Sequence, residues 1–190
     1  MPARTNKREQ ILQAAVLSFG EVGFNSSSLR EIAARCGVSH PGLLHHFPSK
    51  EALLTAVLEH RDTDERRWFP RSESGLDVLR NLIKLVEHNV TVPGLIGLYV
   101  LTAAEATNPA HPAHDYFQRR YARLRRDTRR ALHRIRDEGD LHAGVDVEDA
   151  ATMINALVDG LQVQWLLAPA EVDMPTILRR HLQSLVTRKL

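Results

Sequence analysis

The sequence predicts an all-α protein, three short helices in front of a larger helical bundle, and three observations carry that prediction. Apolar residues recur at helical spacing along most of the 190 residues. No run alternates with period two, and no Asn-Gly or Asp-Gly pair marks a hairpin. Breaks rich in Pro, Gly or Asp ("TVPG", "TNPAHP", "GDLHAG", "APAEVD") separate the periodic segments. A hydrophobic content of 43% suffices for a real core, and 25% charged residues are usual for a soluble globular chain.

Taken in order, Ile11, Ala15 and Phe19 line one face of a first helix, with Leu12 and Val16 widening the stripe. Gly23 ends it, as glycine in a left-handed C-terminal position does. "NSSS" then supplies N-caps for a short second helix whose Leu29, Ile32 and Ala33 point inward, and Gly37 closes it. Ser39 caps a third helix with Pro41 in its first turn, where proline loses no needed N–H. Pro48 stops that helix, and Ser49 caps a fourth running through Leu53, Leu54, Val57 and Leu58 into the charged stretch "EHRDTDERR". The first domain is therefore placed at 1–48 and the second at 49–190, with a helix over 49–69 linking them. Further helices are expected near 75–91, 94–106, 112–138, 147–168 and 174–188.

Several classes of protein are disfavoured. No stretch reaches the roughly 20 apolar residues that span a bilayer; the longest uncharged run, Asn89 to Ala104, carries Pro93 and two glycines. The polar N-terminus lacks the apolar segment of a secretory signal, and the single Cys36 rules out an intramolecular disulfide or a multi-cysteine zinc knuckle. A cytoplasmic chain without membrane attachment is expected. Net charge is only +2, so a nucleic-acid partner must be argued from where charges sit, not from their number.

The stretch "EIAARCGVSHPGLLHHFPSK" makes that argument. Helix, Gly-containing turn, helix is the pattern in which the second helix lies in a DNA major groove. The apolar residues of the short third helix, Leu43, Leu44 and Phe47, sit mainly at its C-terminal end and anchor it. That leaves His40, Gly42 and His45 outward, with Ser39 and Pro41 on the same exposed half. Gly42 costs about 1 kcal/mol against alanine as a helix residue, so close approach to another molecule is a reason for it. Lys50 stands in the first turn of the fourth helix, where the macrodipole disfavours a cation; a phosphate would be gripped there by the lysine and the free N–H groups. Ser28 and Arg30 open the second helix in the same way. Ordinary helix punctuation and solvated surface charge account for the same residues without a partner.

The words "REQILQAAVLSFGEVGF", "SLREIAARCGVS" and "LLHHFPSKEALL", in that order and spacing, resemble the DNA-binding domain of TetR-family transcriptional regulators over about the first third of the chain. The resemblance implies a palindromic double-stranded DNA operator, a small-molecule effector and a homodimer. It implies that Arg30, His40, Gly42 and His45 face the groove, and that Ser28, His46 and Lys50 contact phosphates. Leu44 stands where most members have a phosphate-bonding tyrosine, and Pro41 and Gly42 also replace commoner residues, so base preference does not transfer.

In the C-terminal part, Ala150, Ile154, Leu157, Leu161 and Trp165, with Val158 beside them, and Ile177, Leu178, Leu182 and Leu185 form apolar helical stripes. Periodicity does not distinguish burial in one subunit from a partner face; the resemblance favours a dimer interface. "GLIGLYVLTAAEAT" is apolar on nearly every side, and Gly94 and Gly97 make its start a poor helix and a plausible moving part. Glu105 is a lone acid in that company. Tyr99, His88, Asn89, Trp68, Phe69 and Trp165 are candidates to line, with Glu105, a pocket for a largely apolar molecule with one polar handle.

Nine arginines between Arg119 and Arg136, with Asp127 the one acid among them, are read as a solvated helix face. No enzyme, metal or cofactor is expected. "HPAH" lies in a Pro-rich loop without a following metal-ligand pair, and His45 and His46, being adjacent, diverge on a helix. There is no phosphate-binding Gly loop and no G-x-S-x-G elbow. The resulting reading is a repressor released from its operator by a ligand; a constitutive architectural DNA binder is the alternative.

Overall fold

The computed structural model describes residues 6–66 and 74–190, with side chains described outside 64–66. Nine helices occur among them: α1 (Lys7–Ser26), α2 (Leu29–Arg35), α3 (His40–His46), α4 (Lys50–Arg66), α5 (Gly75–Asn89), α6 (Pro93–Glu105), α7 (His114–Asp137), α8 (Val147–Leu167) and α9 (Met174–Gln183). The one β-pairing among the described residues is an antiparallel bridge between Leu141 and Val186. No described helix is long and apolar enough to cross a membrane.

Two compact units emerge. One joins residues 1–64 with 93–117, the other 65–92 with 118–190. The first is built on a close crossing of α1 with α6. A Cβ on Gly20 would stand 2.5 Å from the Gly94 carbonyl oxygen, and one on Gly97 would stand 2.8 Å from the Gly20 oxygen. No other residue admits backbones so near, which is the reason for glycine at 20 and 97; a Cβ on Gly94 would meet only Leu17 Cδ2, at 3.0 Å. Gly94 and Gly97 do not break the helix, which runs unbroken from Pro93.

Around that crossing Ile11, Leu12, Ala15 and Phe19 from α1, Ile32 and Ala33 from α2, Leu43 and Phe47, and Leu53, Leu54, Val57 and Leu58 from α4 are buried. The caps are those the side chains dictate. Ser28 Oγ accepts from the N–H groups of Arg30 and Glu31, Ser39 Oγ from Gly42, and Ser49 Oγ from Ala52. Gly37 takes φ +65° at the turn.

Gly23 has the positive φ expected of glycine, 78°, but its ψ of 170° lies outside the left-handed helical well, and the chain resumes a further turn to Ser26. The Arg35 guanidinium meets the Glu21 carboxylate at 2.6 and 2.9 Å, tying α2 to α1; that bond holds the Glu21 carboxyl below its ordinary range.

In the second unit, Leu76, Leu79, Ile83 and Val86 of α5 and Ala131, Leu132 and Ile135 of α7 form one part of the core. Gly75 lets α5 approach the Ala131 carbonyl. Asp146 caps α8 through the N–H groups of Glu148 and Asp149, and Asp173 caps α9 through Thr176. After α9 the chain returns to bond residues 140–142 through the Leu185 carbonyl and the Thr187 N–H.

Candidate nucleic-acid interface

The seven-residue α3 is held by one side. Leu43 is fully buried and Phe47 nearly so, whereas Ser39, Pro41, His45 and His46 are exposed and His40, Gly42 and Leu44 half-buried. On α2, Arg30 is exposed and Ser28 half-buried. The helix α3 thus presents two histidines and its Ser39–Pro41 start to solvent. The rings of His45 and His46 do not diverge; they meet edge-on with centroids 5.6 Å apart. Gly42 has a local reason as well, since a Cβ there would lie 3.1 Å from the capping Ser39 Oγ.

Lys50, its ammonium placed against the macrodipole of α4, has partners within the chain. Nζ donates to the carbonyls of Ser27 at 2.7 Å and Asn25 at 3.2 Å, and stands 4.5 Å above the Phe24 ring. The acceptors are carbonyls at the end of α1, where the helix dipole favours a cation. Two of the three ammonium donors are thus engaged within the chain.

The same few residues receive a second grip from α6. Glu105 Oε2 accepts the Phe24 N–H at 2.8 Å and Oε1 the Asn25 N–H at 3.1 Å. The carboxylate fills the space a Gly23 side chain would need: a Cβ there would stand 2.7 Å from Oε1. Glu105 is accordingly a structural anion that caps the break in α1, not the free polar handle of a pocket.

Behind it, His111 is buried, packs edge-on against Phe24 at 5.1 Å and brings Nε2 to 3.7 Å from Glu105 Oε2. His111 Nδ1 accepts the Ala113 N–H, which fixes the proton on Nε2, facing the carboxylate. Burial lowers the His111 pKa, with Glu105 opposing, so the ring is neutral near pH 7. Neither His111 nor Gly23 stood out in sequence as part of this cluster; "HPAH" offered only a loop histidine.

Of the remaining pocket candidates, Trp68 and Phe69 lie outside the described residues. Tyr99 is buried in the first unit, tilted at 58° against Phe117 with centroids 5.2 Å apart; in the second, Asn89 and Trp165 are buried and His88 half-buried. Among the described residues no three His, Cys, Asp or Glu side chains converge on a metal position.

The apolar stripe expected on α8 faces inward, and a second, exposed strip lies one residue away. Ile154, Leu161 and Trp165, with Leu178 and Leu182 of α9, are buried within the subunit; Leu157, Val158 and Leu185 are half-buried. Outward on α8 stand Met153, Ala156, Val163 and Leu167, at helical spacing around Gly160, whose missing Cβ would meet nothing within 4 Å. Ile177 is exposed on α9. Exposure, which periodicity cannot supply, separates the two stripes.

Comparison with known proteins follows this geometry. Residues 11–57 match the model for bacterial regulatory proteins of the tetR family, and residues 100–187 that for the C-terminal part of BetI-type transcriptional repressors. The chain is 30% identical over 175 residues to the probable HTH-type transcriptional regulator ArpR of Pseudomonas putida, covering 88% of this chain and 83% of that one. Over 52 residues it is 50% identical to the HTH-type regulator RutR of Escherichia coli, covering 27% and 24% respectively. Among solved structures, the SmeT–triclosan complex superposes with a TM-score of 0.77 at 24% identity, covering 95% of this chain and 92% of that one; SmeT is described as the repressor of a Stenotrophomonas maltophilia multidrug efflux pump.

Proposed function

The chain belongs to the TetR family of bacterial transcriptional regulators, and on that premise we propose that it is a homodimeric repressor released from a palindromic operator by a small molecule. Residues 1–48 form the reading head and residues 49–190 the effector and dimer body. Arg30, His40, Gly42 and His45 face base edges, and Ser28, Ser39, Pro41 and His46 lie along the backbone. Lys50 acts at one remove: by holding the carbonyls of Asn25 and Ser27 it sets the Ser28 cap and the start of α2.

The observation that carries ligand release is the pair of hydrogen bonds that Glu105 accepts from the N–H groups of Phe24 and Asn25. It joins the last turn of α6 to the backbone that Lys50 holds from the other side. A ligand that displaces α6 therefore bears on the head through two charge-assisted hydrogen bonds, and it releases DNA only as far as it prefers the displaced arrangement.

The dimer face is assigned to Met153, Ala156, Gly160, Val163 and Leu167 with Ile177, an apolar strip that one subunit leaves in water. Two-fold symmetry then places the two copies of α3 on half-sites about one helical turn, or a multiple, apart.

Fluorescence anisotropy on DNA flanking the protein's own gene, against scrambled DNA over a salt series, tests the reading. Sequence-selective binding, with His45→Ala losing selectivity by about 1–3 kcal/mol, is expected. Equal, steeply salt-dependent binding to both DNAs, and no preferred site in a selection from random sequences, would remove the repressor reading. Selective binding that no small molecule relieves would instead favour a constitutive DNA-binding protein.

A further inference from the structure

The α4 stripe of Leu54, Val57 and Leu58 continues, one turn on, not with a leucine but with Arg61. This arginine is only 6% exposed, its Nη1 is buried without a hydrogen-bond acceptor among the described residues, and its guanidinium lies over Tyr99 with Cζ 3.9 Å from the ring centroid. Arginine is rarely buried so far unless paired. The neighbouring carboxylate, Asp62, accepts from the Tyr116 hydroxyl instead, and Glu105 is engaged with α1. Tyr99 contributes the attraction of a ring face to a cation, not a negative charge.

A second orphan lies on the same side of α6. Thr102, one turn beyond Tyr99, is fully buried and its Oγ1 has no hydrogen-bond partner. Other helical threonines in this chain, Thr55, Thr63 and Thr152, donate to the carbonyl four residues back; Thr102 does not. A buried cation over the Tyr99 ring and a buried hydroxyl one turn along α6 are thus each short of a partner.

We propose that Arg61, Tyr99 and Thr102 form the head-group site for the effector, and that the effector is an organic monocarboxylate with an apolar, aromatic-compatible body. The planar guanidinium fork matches a carboxylate in two parallel hydrogen bonds, and the Thr102 hydroxyl supplies a further donor. One cation calls for one negative charge, which favours a carboxylate over a doubly charged phosphate. The rings of Tyr99, Phe117 and Tyr116, in a chain of contacts 5.1–5.2 Å between centroids, suit an apolar body beside it. This rests on the effector reading above and names its chemistry. Thr102 is one turn from Glu105, so occupancy is felt at the carboxylate that holds α1.

The test uses the full-length protein with two matched pairs, phenylacetate against phenylacetamide and octanoate against octanamide, by isothermal titration calorimetry. Each acid is expected to bind and each amide to bind at least about tenfold more weakly. Arg61→Met should abolish the difference, and Thr102→Val should reduce it. In ligand-free protein Arg61→Met should melt at the same temperature as wild type or higher, because it removes a buried charge that no acceptor balances; Thr102→Val should behave likewise.

Acids and amides binding alike, no binding of either acid, or a clear loss of stability in ligand-free Arg61→Met each overturns the assignment. Anisotropy on operator DNA is run separately: acid binding at Arg61 without DNA release would leave this site standing and defeat the ligand-release reading.

Discussion

Glu105 has two carboxylate oxygens, and each accepts one backbone N–H at the break in α1. Glu105→Gln keeps the shape but turns an NH2 toward one of those N–H groups. It is expected to cost about 1–3 kcal/mol, measured by urea unfolding, and to weaken operator binding with all base-facing residues intact. Gly23→Ala should cost more than about 1 kcal/mol, since it strains a φ of 78° and presses the new Cβ onto the same carboxylate.

His111 adds a pH dependence. Its folded-state pKa lies below the ordinary 6.5 because burial disfavours the charge, against the opposing pull of Glu105. Below about pH 6.5 the unfolded chain binds the proton more readily, so stability present at neutral pH falls as pH drops through that value toward the folded pKa. Protonation also takes Nδ1 from the Ala113 N–H. Stability measured from pH 7.5 to 5 should decline in wild type and decline less in His111→Phe.

At the scale of the element, glycines give the sharpest contrast. Gly20→Ala or Gly97→Ala drives a methyl into a carbonyl oxygen 2.5 or 2.8 Å away and should cost about 1–3 kcal/mol. Gly160→Ala meets open space and should stabilise the isolated subunit by up to about 1 kcal/mol while hindering close approach of a second α8; unfolding at low and high protein concentration separates the two effects.

The helices themselves were legible because Ser28, Ser39 and Ser49 are strong caps and the apolar periods are long. What sequence could not convey is which neighbour a residue meets. Gly94 and Gly97 look like helix breakers until α1 is known to cross them. Lys50 looks unpartnered until the end of α1 is seen beneath it. Arg61, inside "EHRDTDERR", looks like one more solvated charge, and only its continuation of the Leu54–Val57–Leu58 face marks it as buried.

For the whole molecule, the assignment of the Met153–Leu167 strip to a second copy predicts that Val163→Glu yields a monomer by sedimentation velocity with helix content unchanged, and with operator affinity sharply reduced because two half-sites are no longer engaged together. A dimer that survives both this change and Met153→Glu would place the interface elsewhere.

The compact units do not follow chain order: residues 93–117 fall with the first 64. A truncation at residue 60 would therefore strip α1 of the helix that covers it, so a reading head expressed alone is expected to lose stability, visible as early hydrogen exchange in α1.

The Gly20–Gly94–Gly97 crossing bears on how a signal is carried. Side chains at a helix contact usually take up part of any shift by changing rotamers, as soft bushings absorb play. Here main chain rests on main chain, and there is nothing compliant in between. A movement of α6 must either reach α1 nearly undiminished or not occur at all, which makes the joint suited to an all-or-none response and ill suited to a graded one.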